Sequence, residues 1–229
     1  MEPSSNINPL ITDGLHLEVL PDATKKAFLK CISNDFFSSG GWYLAGGTSL
    51  ALQVGHRRSV DLDFFTPEEF FDEKKIEETL SKLGDWKTTS IDMGTIYGEL
   101  DQTKISLIAY PFLKFSQPFL KIGTVSLVKP EDIAAMKIVA ISQRGKKRDF
   151  FDLYWISVNI QDLAKSIESA QNQYMIKQNL THVLKSLVYF QDAEDDPMPD
   201  IYFKATWNEV KSFFIDQIPK ITRDLIDLK

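Results

Sequence analysis

The residues of this chain best suited to chemistry lie between Tyr43 and Phe65, in the stretch YLAGGTSLALQVGHRRSVDLDFF. A small-residue turn, Gly46-Gly47-Thr48-Ser49, is followed about a dozen residues later by two alternating acids, Asp61 and Asp63. In extended backbone alternate side chains share a face, so Asp61 and Asp63 project together while Leu62 and Phe64 turn toward a core. Two carboxylates on one edge make a ligand pair for a divalent metal. The turn supplies the complement. Gly46 and Gly47 let backbone amides approach an anion, Thr48 and Ser49 add hydroxyl donors, and the apolar run Leu50-Ala51-Leu52 begins a helix. A plain helix cap would use the same amides and hydroxyls, so the two readings are compatible. Phosphate on a helix start, beside a hard cation held by carboxylates, is the apparatus for activating a nucleoside triphosphate.

These residues need elements to position them. The spacing of Ala27, Phe28, Leu29, Ile32 and Phe36 predicts a helix over Asp22–Phe37, stopped by Gly40-Gly41. Trp42–Ala45 reads as a short buried strand, which places the glycine turn on a strand-to-helix junction. A helix from about Thr48 to Gly55 leads to the acid-bearing strand, Ser59–Phe65. Thr66-Pro67-Glu68-Glu69 then reads as another helix start, with a hydroxyl cap, a first-turn proline and acids at the positive end, running to about Leu83. Trp86–Asp92, Thr95–Leu100 and Lys104–Tyr110 read as strands, the last two joined by a turn at Asp101-Gln102, and Phe119–Leu127 reads as one extended piece. Met1–Leu20 reads as a loosely packed lead-in. An α/β unit with a mixed sheet and flanking helices is the simplest assembly.

Beyond Lys129-Pro130 the pattern is helical throughout, with helices expected near 130–144, 147–158, 161–174, 176–190 and 206–218. The boundary falls near residue 128, separating an α/β domain of residues 1–128 from a helical domain of residues 129–229. Within the helical part, Lys137 lies in the apolar stripe of its helix. Asp152 is set in the helix Arg148-Asp149-Phe150-Phe151-Asp152-Leu153-Tyr154-Trp155-Ile156, which is apolar on nearly every side. A buried carboxylate needs a cation, so Lys137 and Asp152 are natural partners. Asp149 also suits a helix's first turn. A structural salt bridge between helices is the plain reading of this trio.

Composition narrows the function classes. The chain has 229 residues, 43% hydrophobic and 12% aromatic, enough for a substantial core. A net charge of −6 argues against indiscriminate nucleic-acid binding. Arg144, Lys146, Lys147 and Arg148 form the densest basic cluster and Arg57 with Arg58 the second, each adjoining a candidate motif. The single cysteine, Cys31, excludes an intramolecular disulfide and fits a reducing cytosol. With no apolar run of membrane-span length and no secretory signal, the expected location is cytoplasmic. His16, His56 and His182 lack partners at metal spacing, so a zinc site is not expected.

The turn followed by Asp-x-Asp resembles the nucleotidyltransferase superfamily related to DNA polymerase beta. GGTSLALQVGHRRSVDLDFF together with KIVAISQRGKKRDFFDLYWI is similar to one branch, the AbiEii/AbiGii-type nucleotidyltransferase toxins. That resemblance implies a polymerase-beta-like α/β (α+β) domain followed by a C-terminal helical bundle. It implies transfer of a nucleoside monophosphate from an NTP to an acceptor hydroxyl, with Asp61 and Asp63 holding Mg2+ (Mn2+ as substitute). Phosphate contacts then fall to Gly46, Gly47, Thr48, Ser49, Arg57, Arg58 and Arg148. Lys137 corresponds to the family's motif lysine, a nucleotide or phosphate contact, and Arg148-Asp149-x-x-Asp152 to its Arg-Asp-x-x-Asp motif, with Asp152 the candidate general base and Asp149 its substitute. The superfamily's third carboxylate has no counterpart on Thr103–Ala109; Glu99, Asp101 or an acid of the helical part are the alternatives. The implied setting is the toxin half of a bacterial toxin-antitoxin or phage-defence pair, with RNA, tRNA foremost, as acceptor and an antitoxin protein as partner. Alternative readings are a small-molecule nucleotidyltransferase and a non-catalytic nucleotide-binding partner protein.

Overall fold

A computed structural model describes residues 12–227. The chain forms two compact units: one holds the chain up to Pro111 together with Phe119–Val128, the other Phe112–Pro118 together with the chain from Lys129. The first eleven residues of the expected lead-in lie outside the described residues. The rest of it is packed: Leu17–Val19 form a 3-10 turn, and Val19 and Leu20 are buried in the core.

The first unit is built on a seven-stranded mixed sheet. Its strands are β1 (Tyr43–Leu44), β2 (Leu62–Thr66), β3 (Trp86–Asp92), β4 (Thr95–Leu100), β5 (Thr103–Ala109), β6 (Leu120–Ile122) and β7 (Val125–Leu127), in the order β3-β4-β5-β2-β1-β7-β6. The pairs β2/β5 and β1/β7 are parallel and the rest antiparallel. Alternation sorts the faces. Leu44, Leu62, Phe64, Ile105 and Leu107 point into one core with α1 (Asp22–Cys31), α2 (Asp35–Ser39), α3 (Gly46–Val54) and α4 (Glu73–Leu83) contributing Phe28, Phe37, Leu52 and Leu80. Asp63, Phe65 and Ser106 occupy the opposite face by the same two-residue period.

Several expected elements differ; the helix expected near 176–190 spans only Leu180–Ser186, and that near 206–218 extends over Trp207–Asp227. The helix expected over Asp22–Phe37 is two helices, because the turn between β6 and β7 takes up backbone groups at the break: Thr124 N donates to Ile32 O (2.9 Å) and its hydroxyl to Cys31 O (3.0 Å). Asn34 then caps α2 through Phe36 N. The close approach needs glycine, since a Cβ on Gly123 (φ +56°) would sit 2.1 Å from Ile32 O. That same turn makes Phe119–Leu127 a hairpin instead of one strand. Thr66-Pro67-Glu68-Glu69 does not start a helix. Thr66 ends β2 paired with Ala109, its carbonyl accepts from Tyr110 N (2.7 Å), and Asp72 caps the later α4 through Lys75 N.

The second unit is helical: α5 (Pro130–Arg144), α6 (Lys147–Asn159), α7 (Leu163–Gln173), α8 (Leu180–Ser186), α9 (Gln191–Glu194) and α10 (Trp207–Asp227). Helix α5 starts at Pro130, where the missing N–H costs nothing, and stops at Gly145 in left-handed backbone. Phe150, Phe190, Trp207 and Phe214 form an aromatic core between α6 and α10. Asp132, fully buried, accepts from Ser116 N and Oγ, Gln117 N and Gln173 Nε2, tying Phe112–Pro118 into this unit. No helix among the described residues is long and apolar enough to cross a membrane.

Candidate active site

In the sheet unit the glycine turn and the acids meet. Ala45 N donates to Asp63 O (3.1 Å), locking the end of β1 to the start of β2. Gly46 follows at φ +66° as the first residue of α3, and a Cβ built on it would lie 3.6 Å from Asp63 Oδ2. The turn and the carboxylate are therefore neighbours, with room for about one side-chain atom between them. The cap position is Ala45, which has no side chain to satisfy the first-turn amides. A helix start without a capping side chain, beside a carboxylate, presents N–H groups and positive dipole.

The hydroxyls expected beside Gly46 and Gly47 have structural partners. Thr48 Oγ1 bonds Ser59 Oγ (2.7 Å) and donates to the carbonyl of Asp61, which fixes the backbone just before β2. Ser49, fully buried, donates to Val128 O (3.0 Å). Both hydroxyls bond within the frame that holds the turn and the acid-bearing strand. Asp61 and Asp63 are each half-buried, and Asp63 Oδ1 accepts from Ser106 Oγ at 2.6 Å. Arg57 is buried, with one guanidinium nitrogen donating to Arg58 O (2.9 Å), whereas Arg58 is exposed.

Ser106 escaped attention in the sequence because its strand carries no acid. The register explains its importance: Asp63 pairs with Ser106 across β2/β5, and Ser106 pairs with Tyr97 across β5/β4. Asp63, Ser106 and Tyr97 thus form one row on the face opposite the core. The available signal was the alternation Lys104, Ser106, Ile108 against Thr103, Ile105, Leu107. Glu99 shares that face, paired with Lys104. Asp101 lies in the β4–β5 turn, where Lys30 Nζ (2.5 Å) and Asp85 N (3.0 Å) bind its carboxylate. Desolvation would raise this carboxyl, but those hydrogen bonds outweigh it and hold it below the ordinary range. Burial pushes the thiol of Cys31 well above its usual value, leaving it unreactive.

In the helical unit, Lys137 of α5 inserts its ammonium between two acids of α6, with Nζ 2.6 Å from Asp149 Oδ1 and 2.6 Å from Asp152 Oδ2. Both acids are 0% exposed and Lys137 is 5% exposed. Arg144 approaches Asp149 Oδ2 at 3.2 Å from a half-exposed position. Asp149 and Asp152 are one helical turn apart, so one lysine reaches both. The sequence paired Lys137 with Asp152; Asp149 joins them as an equal partner. Arg148 is exposed at the start of α6.

A mixed sheet thus brings the Asp-x-Asp strand against a helix that starts on glycine. The fold is similar to that of a candidate nucleotidyltransferase from H. pylori, with a TM-score of 0.52 at 16% identity over 90% of this chain and 97% of that one. MenT4, a nucleotidyltransferase toxin from Mycobacterium tuberculosis H37Rv, gives 0.49 at 14% identity over 88% and 86%. An uncharacterised protein of Aquifex aeolicus (strain VF5) is 36% identical over 196 residues, spanning 84% of this chain and 91% of that one. The family described as "Nucleotidyl transferase AbiEii toxin, Type IV TA system" matches residues 27–123 and 108–226. The chain belongs to this AbiEii family of nucleotidyltransferase toxins.

Proposed function

We propose that this nucleotidyltransferase moves a nucleoside monophosphate from an NTP onto an RNA hydroxyl, tRNA foremost, with a divalent cation held by Asp61 and Asp63. The observation that carries the reading is that a Cβ on Gly46 would stand 3.6 Å from Asp63 Oδ2, which puts the glycine turn and the acid side by side, so that one substrate triphosphate can touch both motifs. Among the described residues no three His, Cys, Asp or Glu side chains gather as a metal cage. Mg2+ does not require one: it is commonly held by one or two carboxylates with substrate phosphates and water completing its shell. The half-buried, hard-oxygen pair Asp61 and Asp63 suits that demand. When bound, the cation would neutralise charge developing on the phosphates.

The chain's own residues do the rest. The amides of Gly46 and Gly47 bind phosphate oxygens, and exposed Arg58 adds a positive contact. The acceptor oxygen attacks the α-phosphorus in line; a new P–O bond forms, the bond to the β-phosphate bridging oxygen breaks, and pyrophosphate leaves. Thr48 and Ser49 act by holding the turn and the acids in register. To Lys137, Asp149 and Asp152 we assign the joining of α5 to α6, since a carboxylate sealed from solvent against an ammonium is poorly placed to take a proton. Glu99, on the acid-bearing face, is the better candidate for that proton. A separate antitoxin protein is the partner the family description implies.

Incubating the protein with each labelled NTP, Mg2+ and either total RNA or a metabolite pool tests the proposal. Label should migrate with RNA, and Asp61→Ala/Asp63→Ala should abolish it. Label confined to small metabolites would replace the RNA acceptor. Transfer unchanged in the double variant would remove the acids from the mechanism.

A further inference from the structure

Among the polar contacts around the two acids, one has a side chain whose job no motif anticipates: the hydroxyl of Ser106 on Asp63 Oδ1, at 2.6 Å. The ladder register puts Ser106 directly beside Asp63 on the parallel neighbour strand, so the two side chains leave the sheet together. A carboxylate on a strand turns about its last torsion with little resistance. A donor bound to one oxygen fixes that rotation. With Oδ1 held by Ser106, Oδ2 lies against the Gly46 turn, 3.6 Å from where a Cβ would stand. A neutral donor does this without neutralising the carboxylate, as a lysine or arginine in that place would.

We propose that Ser106 is a positioning residue that aims Asp63 Oδ2 at the glycine turn and so sets the affinity of the acid pair for a divalent cation. This inference rests on the assignment of Asp63 as a metal ligand. Removing an oriented partner of a ligand typically costs tenfold or more in metal affinity, so the hydroxyl of Ser106 alone should account for about tenfold.

The matched pair Ser106→Thr and Ser106→Val isolates that hydroxyl. Both substitutes are β-branched, suit a strand and have nearly the same shape, so each should fold. Mn2+ is titrated into the full-length parent, both variants and Asp63→Asn, with free ion followed by electron paramagnetic resonance and folding checked by thermal melting. Ser106→Thr should bind Mn2+ within about twofold of the parent, and Ser106→Val should bind about tenfold more weakly at similar melting temperature. In transfer assays the Val variant should regain rate at raised Mg2+, which a merely structural defect would not allow. Equal Mn2+ affinity in the Thr and Val variants, with binding lost in Asp63→Asn, overturns the role of Ser106 alone. Equal affinity in the parent and Asp63→Asn overturns the metal assignment of Asp63, and this inference with it.

Discussion

The two acid pairs of this protein, Asp-x-Asp on a strand and Asp-x-x-Asp on a helix, each set two carboxylates side by side and differ in what surrounds them. Asp61 and Asp63 are half-buried, and Asp63 is oriented by a neutral hydroxyl. Asp149 and Asp152 are sealed from solvent, with the ammonium of Lys137 2.6 Å from each. At Asp63 the hydroxyl of Ser106 directs the carboxylate without bringing an opposite charge to it, as the proposed cation site requires. In the second pair negative charge is matched where it stands, as stability requires. Each spacing brings two carboxylates to one side of its element; the partners given to Asp63 and to Asp149 and Asp152 are what set the pairs apart.

The largest effect should come from breaking the matched pair. Lys137→Met leaves two carboxylates buried without their ammonium and should destabilise the fold by about 3–5 kcal/mol in urea unfolding. Lys137→Met/Asp149→Asn/Asp152→Asn leaves no acid stranded and should be more stable than the single variant. If the triple variant is the weaker of the two, burial of charge is not what Lys137 relieves.

The opposite pattern is expected at the other pair. Asp63→Ala should lower transfer by at least about a hundredfold while the melting temperature stays near that of the parent. Loss of both activity and stability to the same degree would show that Asp63 is a structural acid, and the contrast would fail.

Thr48 sharpens the comparison because its hydroxyl supports the backbone that carries Asp61 and Asp63. Its hydroxyl bonds Ser59 and the carbonyl of Asp61 from a buried position. Thr48→Val keeps the shape and strands those partners, at a cost of about 2 kcal/mol, whereas Thr48→Ser should cost less. Transfer should fall further in Thr48→Val than its stability loss explains, since the backbone of Asp61 is released.

Much of this was legible in the chain. Period-two alternation placed Leu62 and Phe64 in the core and Asp63 on the other face, and the Pro130 and Gly145 signals bounded α5. What remained hidden depends on contacts distant in sequence. Nothing near residues 31–35 announces that Thr124 will take the carbonyls of Cys31 and Ile32, so one helix was expected where two form. Thr66 carries a good cap signal, yet pairing with Ala109 outweighs it. Ser106 became visible only through its register with Asp63, and the hydroxyls of Thr48 and Ser49 through the partners the fold supplies.

The smallest effect concerns Asp101, an acid that is neither sealed nor directed at a ligand. Lys30 and the backbone N–H of Asp85 hold its carboxyl below its unfolded value against the opposing pull of desolvation. A depressed folded pKa stabilises the protein above the unfolded pKa, and that contribution disappears as pH falls through the folded value. Both side chains are partly exposed, so water screens the pair, and Lys30→Met should cost only ~0.5 kcal/mol near neutral pH. Urea unfolding of the parent and Lys30→Met should therefore differ at pH 7 and converge below the ordinary carboxylate range. A difference that persists undiminished in acid would assign the loss to the packing of the lysine stem, and Asp101 would then contribute through its bond to Asp85 N alone.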